Sequence, residues 1–298
     1  MLQYVVLPVA RQHAGACCMS ALGLGLVAAF AWGLHDLCVR HVSQRTSILS
    51  ALATVLTVGA VLVLPVAVWL GDWQAMTARA YGLAVLSGIF FGIAGFGLYK
   101  AFEIGPVRLV APVVGAYPVL TMALAGLGGS PVTGGQWMAA LAVVMGIVIV
   151  AALIRESDSN GPRGIAIVWA ILSAIGFAGT FAAGQYAARA GADLPVLLST
   201  RAVALALVLP LAMIGRADAR SIVGQLPLLV TMGVLDAVAL GAIMIAAPLP
   251  NPEFAAVAAA TFGVITIILA SILFKERMRG GQWVGVALAF AGIGYLAL

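Results

Sequence analysis

Long apolar runs separated by short polar breaks are the dominant pattern of the sequence. Each run approaches the length of about 20 residues that a helix needs to cross the hydrocarbon core of a bilayer. The runs do not alternate apolar and polar residues as membrane-spanning strands do. The breaks carry turn residues, as in Gly71-Asp72 and Asn251-Pro252. The pattern predicts ten transmembrane helices, at about residues 20–39, 47–70, 80–99, 106–127, 135–154, 164–188, 195–214, 227–247, 253–274 and 281–298.

Composition supports the same class of protein. Of 298 residues, 63% are apolar and 8% are charged, against roughly 25% charged in an ordinary soluble domain. A soluble fold of this size would have to expose much of its apolar surface, and a disordered chain would need low hydrophobicity. We therefore expect an all-α polytopic membrane protein.

The charged residues and cysteines form no recognisable catalytic, metal-binding or nucleic-acid-binding motif. The net charge of +5 comes from basic residues scattered singly near the ends of the spans, which argues against a nucleic-acid partner. Cys17, Cys18 and Cys38 match no metal spacing, and an odd number cannot form a complete disulfide set. Neither Lys100 nor Lys275 follows a glycine-rich phosphate loop. We expect no cofactor, no metal and no enzyme activity; an enzyme without a motif is the remaining alternative.

An internal repeat divides the chain into two halves. The sequence Gly-Gly-Gln-Trp at 134–137 recurs at 280–283, an offset of 146 residues. Three further pairs share this offset: Pro106 with Pro252, Gly95 with Gly241, and Gly146 with Gly292. Five spans per half is an odd number, so the second half would lie inverted in the membrane, as in many transporters. The predicted organisation is a tail at 1–19, repeats at 20–154 and 164–298, and a linker at 155–163. Translation starting at Met19 instead of Met1 is an open alternative.

These residues resemble the EamA type of the drug/metabolite transporter superfamily. The first span reads AAFAWG at 28–33, and FKERM at 274–278 precedes GQWVG at 281–285. Ser130 occupies in the first half the position that Glu276 occupies in the second half. Leu34-His35 occupies the position where many members of the superfamily carry Asn or Ser. Over about residues 20–298, the resemblance implies a ten-helix carrier of small metabolites, often an exporter of amino acids, in the bacterial inner membrane. It implies termini inside, whereas the distribution of basic residues favours termini outside, so the orientation stays open.

Ionisable residues deep in the spans are candidates for the transport site, because an ionisable group at this depth usually faces a cavity or a partner. Asp236 lies at the centre of the eighth span and is a candidate for binding an amine or a proton. Arg201 lies in the seventh span and is a candidate for binding a solute carboxylate. The alternatives are a hydrogen-bonded carboxyl at Asp236, a snorkelling Arg201, or a structural pair between the two. His35 is a second candidate for proton coupling.

Shorter spacings give structural expectations. Asp36 with Arg40 and Lys100 with Glu103 are predicted to form interfacial ion pairs. Pro112 and Pro118 favour a kink in the fourth span. Four aromatic residues are predicted to line a cavity: Trp32, Tyr99, Tyr117 and Trp169. Thr180 and Gln185 are predicted to form hydrogen bonds between helices. The GxxxG spacings at 88–92 and 281–285 permit close helix contact within the fold or in a dimer.

The function expected from the sequence is a secondary transporter that exports small metabolites such as amino acids by alternating access. Its substrate site comprises Asp236, Arg201, His35, Trp32, Tyr99 and Tyr117. Its partners are a small solute and the lipid bilayer, and it is a monomer or a homodimer. Two alternatives remain: an exporter of lipophilic cations, which needs an acidic residue but not Arg201, and a non-transporting, lipid-handling membrane subunit with the same fold.

Overall fold

The computed structural model describes residues 20–120, 123, 133–153, 161–214, 219–249, 253–273 and 278–296. The predicted tail, most of the linker, Ser130 and Glu276 lie outside these residues. The helices, numbered in chain order, are α1 Ala21–Val42, α2 Ile48–Leu70, α3 Ala78–Ile104, α4 Val107–Val114, α5 Gly134–Ala152, α6 Arg163–Ala190, α7 Asp193–Ile214, α8 Ala219–Ile245, α9 Glu253–Ala259, α10 Phe262–Leu273 and α11 Gly280–Leu296.

The fold is an all-α membrane fold with ten transmembrane spans in two inverted five-helix repeats. Within the described residues, seven helical stretches are long and apolar enough to cross a membrane. The other three positions of the two repeats hold the shorter helices Val107–Leu120, Gly134–Val150 and Gly280–Leu296. The outer surface is apolar: Trp69 is 82% exposed and Met213 is 72% exposed. Charged side chains such as Arg201 and Asp236 are buried inside. An apolar surface around buried charges suits a lipid bilayer and confirms the prediction of an all-α polytopic membrane protein.

The contacts between the halves are symmetric, as an inverted repeat requires: each contact recurs when both helices are replaced by their counterparts in the other half. Helix α1 of the first half packs against α8 of the second, and its counterpart α6 packs against α3. Helix α2 contacts α8, and the equivalent pair α7 and α3 is also in contact. Helix α1 contacts α9 and α10, and in the equivalent contact α6 packs against α4. Equivalent helices of the two halves also contact each other: α2 contacts α7, α4 contacts α10, and α5 contacts α11. The two halves therefore share one interior.

Glycines allow the closest of these crossings. A Cβ atom at Gly292 in α11 would lie 2.6 Å from the Ala139 carbonyl oxygen of α5, and one at Gly146 would lie 2.6 Å from the Ala289 nitrogen. Gly285 of the GxxxG spacing also meets the Gly146 backbone. In α3, a Cβ atom at Gly88 would lie 2.6 Å from Val203 of α7. Both GxxxG spacings are therefore used within the fold.

The fourth span of each half is interrupted at the same place. Helix α4 ends before a turn at Gly115-Ala116, and residues 117–120 are helical again. In the second half, a turn at Ala260-Thr261 separates α9 from α10. The first half carries Pro112 near this break, as the sequence predicted, but the second half breaks without a proline. The two breaks contact each other, since a Cβ atom at Gly115 would lie 3.2 Å from the Ala260 carbonyl oxygen.

Three helices differ in extent from the prediction. Helix α1 runs to Val42 and α3 to Ile104, beyond the predicted ends at 39 and 99. Helix α8 begins at Ala219, earlier than the predicted 227, because Pro227 lies inside the helix instead of at its start. The longer α1 places Asp36 deeper in the fold than the sequence analysis assumed.

Candidate functional site

The Asp236 carboxylate is held between the two halves by two donors. Trp32 Nε1 of α1 donates to Asp236 Oδ1 at 3.1 Å, and Arg201 Nη2 of α7 donates to Asp236 Oδ2 at 2.9 Å. Asp236 is 5% exposed and Arg201 is 0% exposed. Arg201 therefore does not snorkel to an interface, and the pairing that the sequence left open is formed. A buried guanidinium and carboxylate compensate each other's loss of hydration.

Two glycines make room for this arrangement. A Cβ atom at Gly59 of α2 would overlap Arg201 Nη1, so glycine leaves the space that the guanidinium occupies. A Cβ atom at Gly33 would lie 2.6 Å from Ile265 of α10. The close approach of α1 and α10 at Gly33 brings the adjacent Trp32 into the interior, where its indole reaches Asp236.

Arg201 retains unused hydrogen-bonding capacity. Its Nε and Nη1 atoms have no hydrogen-bond partner among the described residues. The guanidinium carbon lies 5.7 Å from the centroid of the Phe91 ring of α3, a cation–π distance. Arg201 is thus anchored to both halves while two of its nitrogens remain available as donors.

A second polar pair lies one helical turn from Trp32. His35 Nδ1 and Asp36 Oδ1 are 3.1 Å apart, and both residues are buried. The predicted Asp36–Arg40 pair is wrong, because Asp36 faces the interior while Arg40 donates to the carbonyl oxygens of Phe102 and Gly105. The ring of Tyr99 lies 6.3 Å from that of His35. His35 Nε2, Asp36 Oδ2 and the Tyr99 hydroxyl form no hydrogen bond with any described residue.

Both groups face one cavity between the halves. Five of the six substrate-site residues predicted from the sequence line it: Trp32, His35, Tyr99, Tyr117 and Asp236. The sixth, Arg201, is not part of the lining and reaches it through Asp236. The cavity therefore brings together the residues that the sequence analysis had singled out separately.

Aromatic rings form one wall of the cavity. Trp32 lies 5.5 Å from Phe181 and 5.9 Å from Phe177, and Tyr117 lies 5.0 Å from Phe181, all between ring centroids. Phe262, at the start of α10, completes this wall. The Tyr117 hydroxyl donates to the Ala256 carbonyl oxygen of α9, so the two interrupted spans meet beside the cavity.

Sequence analysis missed several members of this site. The i,i+4 spacing of Phe177 and Phe181 was a signal for an aromatic face on α6, whereas the depth of Asp36 depended on the true end of α1. Trp169 does not line the cavity; it packs edge-on against Phe96 at 5.4 Å. The Thr180 hydroxyl bonds within its own helix to Gly176 instead of between helices. The predicted Lys100–Glu103 pair is confirmed as a direct contact.

Comparisons with known proteins agree with this architecture. The sequence profile of the EamA-like transporter family matches residues 19–152 and 164–298. Among curated proteins, none matches the chain. A solved crystal structure superposes with a TM-score of 0.70, covering 92% of this chain and 95% of its own length at 15% identity. At this identity the likeness shows the fold alone.

Proposed function

The chain belongs to the EamA-like transporter family, and we propose that it is a secondary transporter that exports small metabolites such as amino acids across the bacterial inner membrane. The observation that carries the proposal is the cavity between the inverted halves, which is lined by Asp236, the partner of Arg201, and by an aromatic wall that includes Trp32. Charged side chains at this depth are costly, so they are expected to serve a solute or ion pathway.

The charges of the site suit a solute that carries both an ammonium and a carboxylate group. Arg201 does not line the cavity in this conformation; its two nitrogens without a hydrogen-bond partner among the described residues would bind a solute carboxylate in a state of the cycle that exposes the guanidinium to the cavity. Asp236 and Asp36 line the cavity and carry the charge opposite to an ammonium group. Trp32, Tyr99 and Tyr117 supply apolar contact for the rest of the solute.

Alternating access would open the cavity to one side of the membrane at a time. The interrupted spans, α4 with residues 117–120 and α9 with α10, meet beside the cavity through the Tyr117–Ala256 hydrogen bond. Breaks in spanning helices supply sites where two helix segments can change their angle. We assign the rocking motion to these two spans.

Proton coupling is proposed at His35 or Asp236. His35 lines the cavity, and its side chain has two ring nitrogens, one of which can bind a proton from the cavity. Purified protein in liposomes under an imposed pH gradient tests the assignment. If His35 carries the proton, a pH gradient no longer drives accumulation by folded His35→Gln protein; a variant that still accumulates solute places the proton elsewhere.

The transport proposal is tested by counterflow. Liposomes loaded with one unlabelled amino acid or metabolite at a time are given the same labelled solute outside. We expect transient accumulation of label for amino acids, and its loss in Asp236→Asn. Asp72→Asn is the matched control, because Asp72 lies in an exposed loop. Absence of accumulation across the panel by folded protein would overturn the proposal.

A lipophilic cation is the second candidate solute. The aromatic wall of Trp32, Phe177 and Phe181 beside two acids favours an organic cation through cation–π contact. Such a solute has no carboxylate and would not need the spare donors of Arg201. Counterflow of an aromatic cation that exceeds counterflow of every amino acid would favour this candidate over the first.

A further inference from the structure

Two acidic side chains line the cavity, and they differ in their partners. Asp236 is paired with the Arg201 guanidinium. Asp36 is 2% exposed, and its polar partner among the described residues is the ring of the neighbouring His35. Asp36 Oδ2 accepts no hydrogen bond there. A buried carboxylate without a compensating positive charge is strongly unfavourable, so the ionised form of Asp36 requires a positive charge next to it.

The polar atoms at Asp36, His35 and Tyr99 that lack a partner among the described residues are all able to accept hydrogen bonds. An ionised carboxylate only accepts, so with Asp36 ionised the proton in the 3.1 Å contact between Asp36 Oδ1 and His35 lies on His35 Nδ1. Nε2 of that neutral ring is then an acceptor. The Tyr99 hydroxyl also accepts. Asp36 Oδ2, His35 Nε2 and the Tyr99 hydroxyl thus form a set of three buried acceptors without partners among the described residues.

We propose that His35, Asp36 and Tyr99 bind the ammonium group of the solute, and that the carried solutes are primary amines. A primary ammonium group supplies one positive charge, which ionised Asp36 requires, and three N–H donors, the complement of the unpartnered acceptors on Asp36, His35 and Tyr99. This inference rests on the proposed transport function and specifies which acid receives the amine: Asp36, with Asp236 remaining paired with Arg201. The aromatic wall accommodates the apolar body of the solute.

The proposal separates two probes of equal charge. 2-Phenylethylamine carries three N–H donors, whereas its N,N,N-trimethyl derivative has the same aromatic body and the same charge but no N–H donor. Both gain cation–π contact with Trp32 and its neighbours. Only the primary amine satisfies the three acceptors, and buried acceptors left unpaired weaken binding.

Binding is measured by calorimetric titration of the purified protein in detergent, with no transport required. We expect the primary amine to bind at least tenfold more tightly than the quaternary one. Asp36→Asn should lose this binding, because the amide still accepts from His35 but presents N–H donors in place of Oδ2. Tyr99→Phe removes one acceptor and should reduce the preference. Asp72→Asn, in the exposed loop, should behave as wild type, and thermal melting in detergent confirms that each variant is folded.

The binding and counterflow experiments together distinguish failure of the ammonium subsite from failure of the transport proposal. Equal binding of the two probes, or unchanged binding in folded Asp36→Asn, would overturn the ammonium subsite. Counterflow of solutes without an amine, together with no binding of the primary amine, would overturn the subsite and leave the transport proposal standing. Amine binding with the expected preference, but no counterflow of any solute, would support the subsite and overturn the transport proposal.

Discussion

Removing one member of the Arg201–Asp236 pair is expected to destabilise the protein strongly. Asp236→Asn leaves a guanidinium that is 0% exposed without its counter-charge, and Arg201→Met leaves the carboxylate with Trp32 as its hydrogen-bond donor. Breaking a buried ion pair by removing one partner costs about 3–5 kcal/mol. This is a large part of the roughly 5–15 kcal/mol by which a folded domain is stable.

The double variant separates the pair energy from other effects. Arg201→Met with Asp236→Asn removes both charges, so neither buried group is left uncompensated, and replacing a buried pair by neutral residues is often close to neutral. We expect the double variant to be at least as stable as either single variant. The coupling free energy of directly interacting groups is about 0.5–3 kcal/mol.

The assay is equilibrium unfolding of the purified protein in mixed micelles, followed by tryptophan fluorescence. The Lys100–Glu103 pair serves as the control, because its side chains are 34% and 37% exposed. Breaking an exposed pair changes the free energy of unfolding by only about 0–1 kcal/mol. If the two single losses at Arg201 and Asp236 simply add in the double variant, the two charges do not stabilise each other and the reasoning is refuted.

The remaining predictions concern close contacts and the interrupted spans. Gly59→Ala should cost about 1–3 kcal/mol of stability by displacing the Arg201 guanidinium, whereas Gly82→Ala, with open space at its Cβ position, should not; equal melting temperatures would contradict this. Gly292→Ala should loosen the α5–α11 crossing, and Gly294→Ala in the same helix, also facing open space, is its control in thermal melting. Tyr117→Phe loses its hydrogen bond between the interrupted spans and should change the rate of counterflow; an unchanged rate would exclude a role for that bond in the motion.

The sequence predicted the architecture well because bilayer physics leaves few choices. Apolar runs of spanning length must form helices that satisfy their own backbone hydrogen bonds. The recurrence of Gly-Gly-Gln-Trp at an offset of 146 residues marked equivalent helices, and α5 and α11 do contact each other. The break between α9 and α10 was not predictable in this way, because no proline marks it and it lies where the two interrupted spans cross.

The members of the site were predicted by depth and charge, but their partners were not. Asp236 and Arg201 stood out as isolated charges in apolar helices. The i,i+4 spacing of Asp36 and Arg40 suggested a local ion pair. In the folded chain, tertiary packing turns Asp36 inward, and Arg40 donates instead to the carbonyl oxygens of Phe102 and Gly105 at the end of α3. Gly59 carried no signal, since the need for a small residue there arises only when Arg201 of another helix occupies the space.

If solute passes through the cavity between the halves, a side chain that fills the cavity must block transport. Leu56 lines the cavity and is buried, whereas Leu64, on the same helix, is 48% exposed on the outer surface. Counterflow is measured in liposomes containing Leu56→Trp or Leu64→Trp protein, each shown to be folded. Leu56→Trp should abolish counterflow and Leu64→Trp should retain it; equal counterflow in the two variants would show that solute does not pass through this cavity.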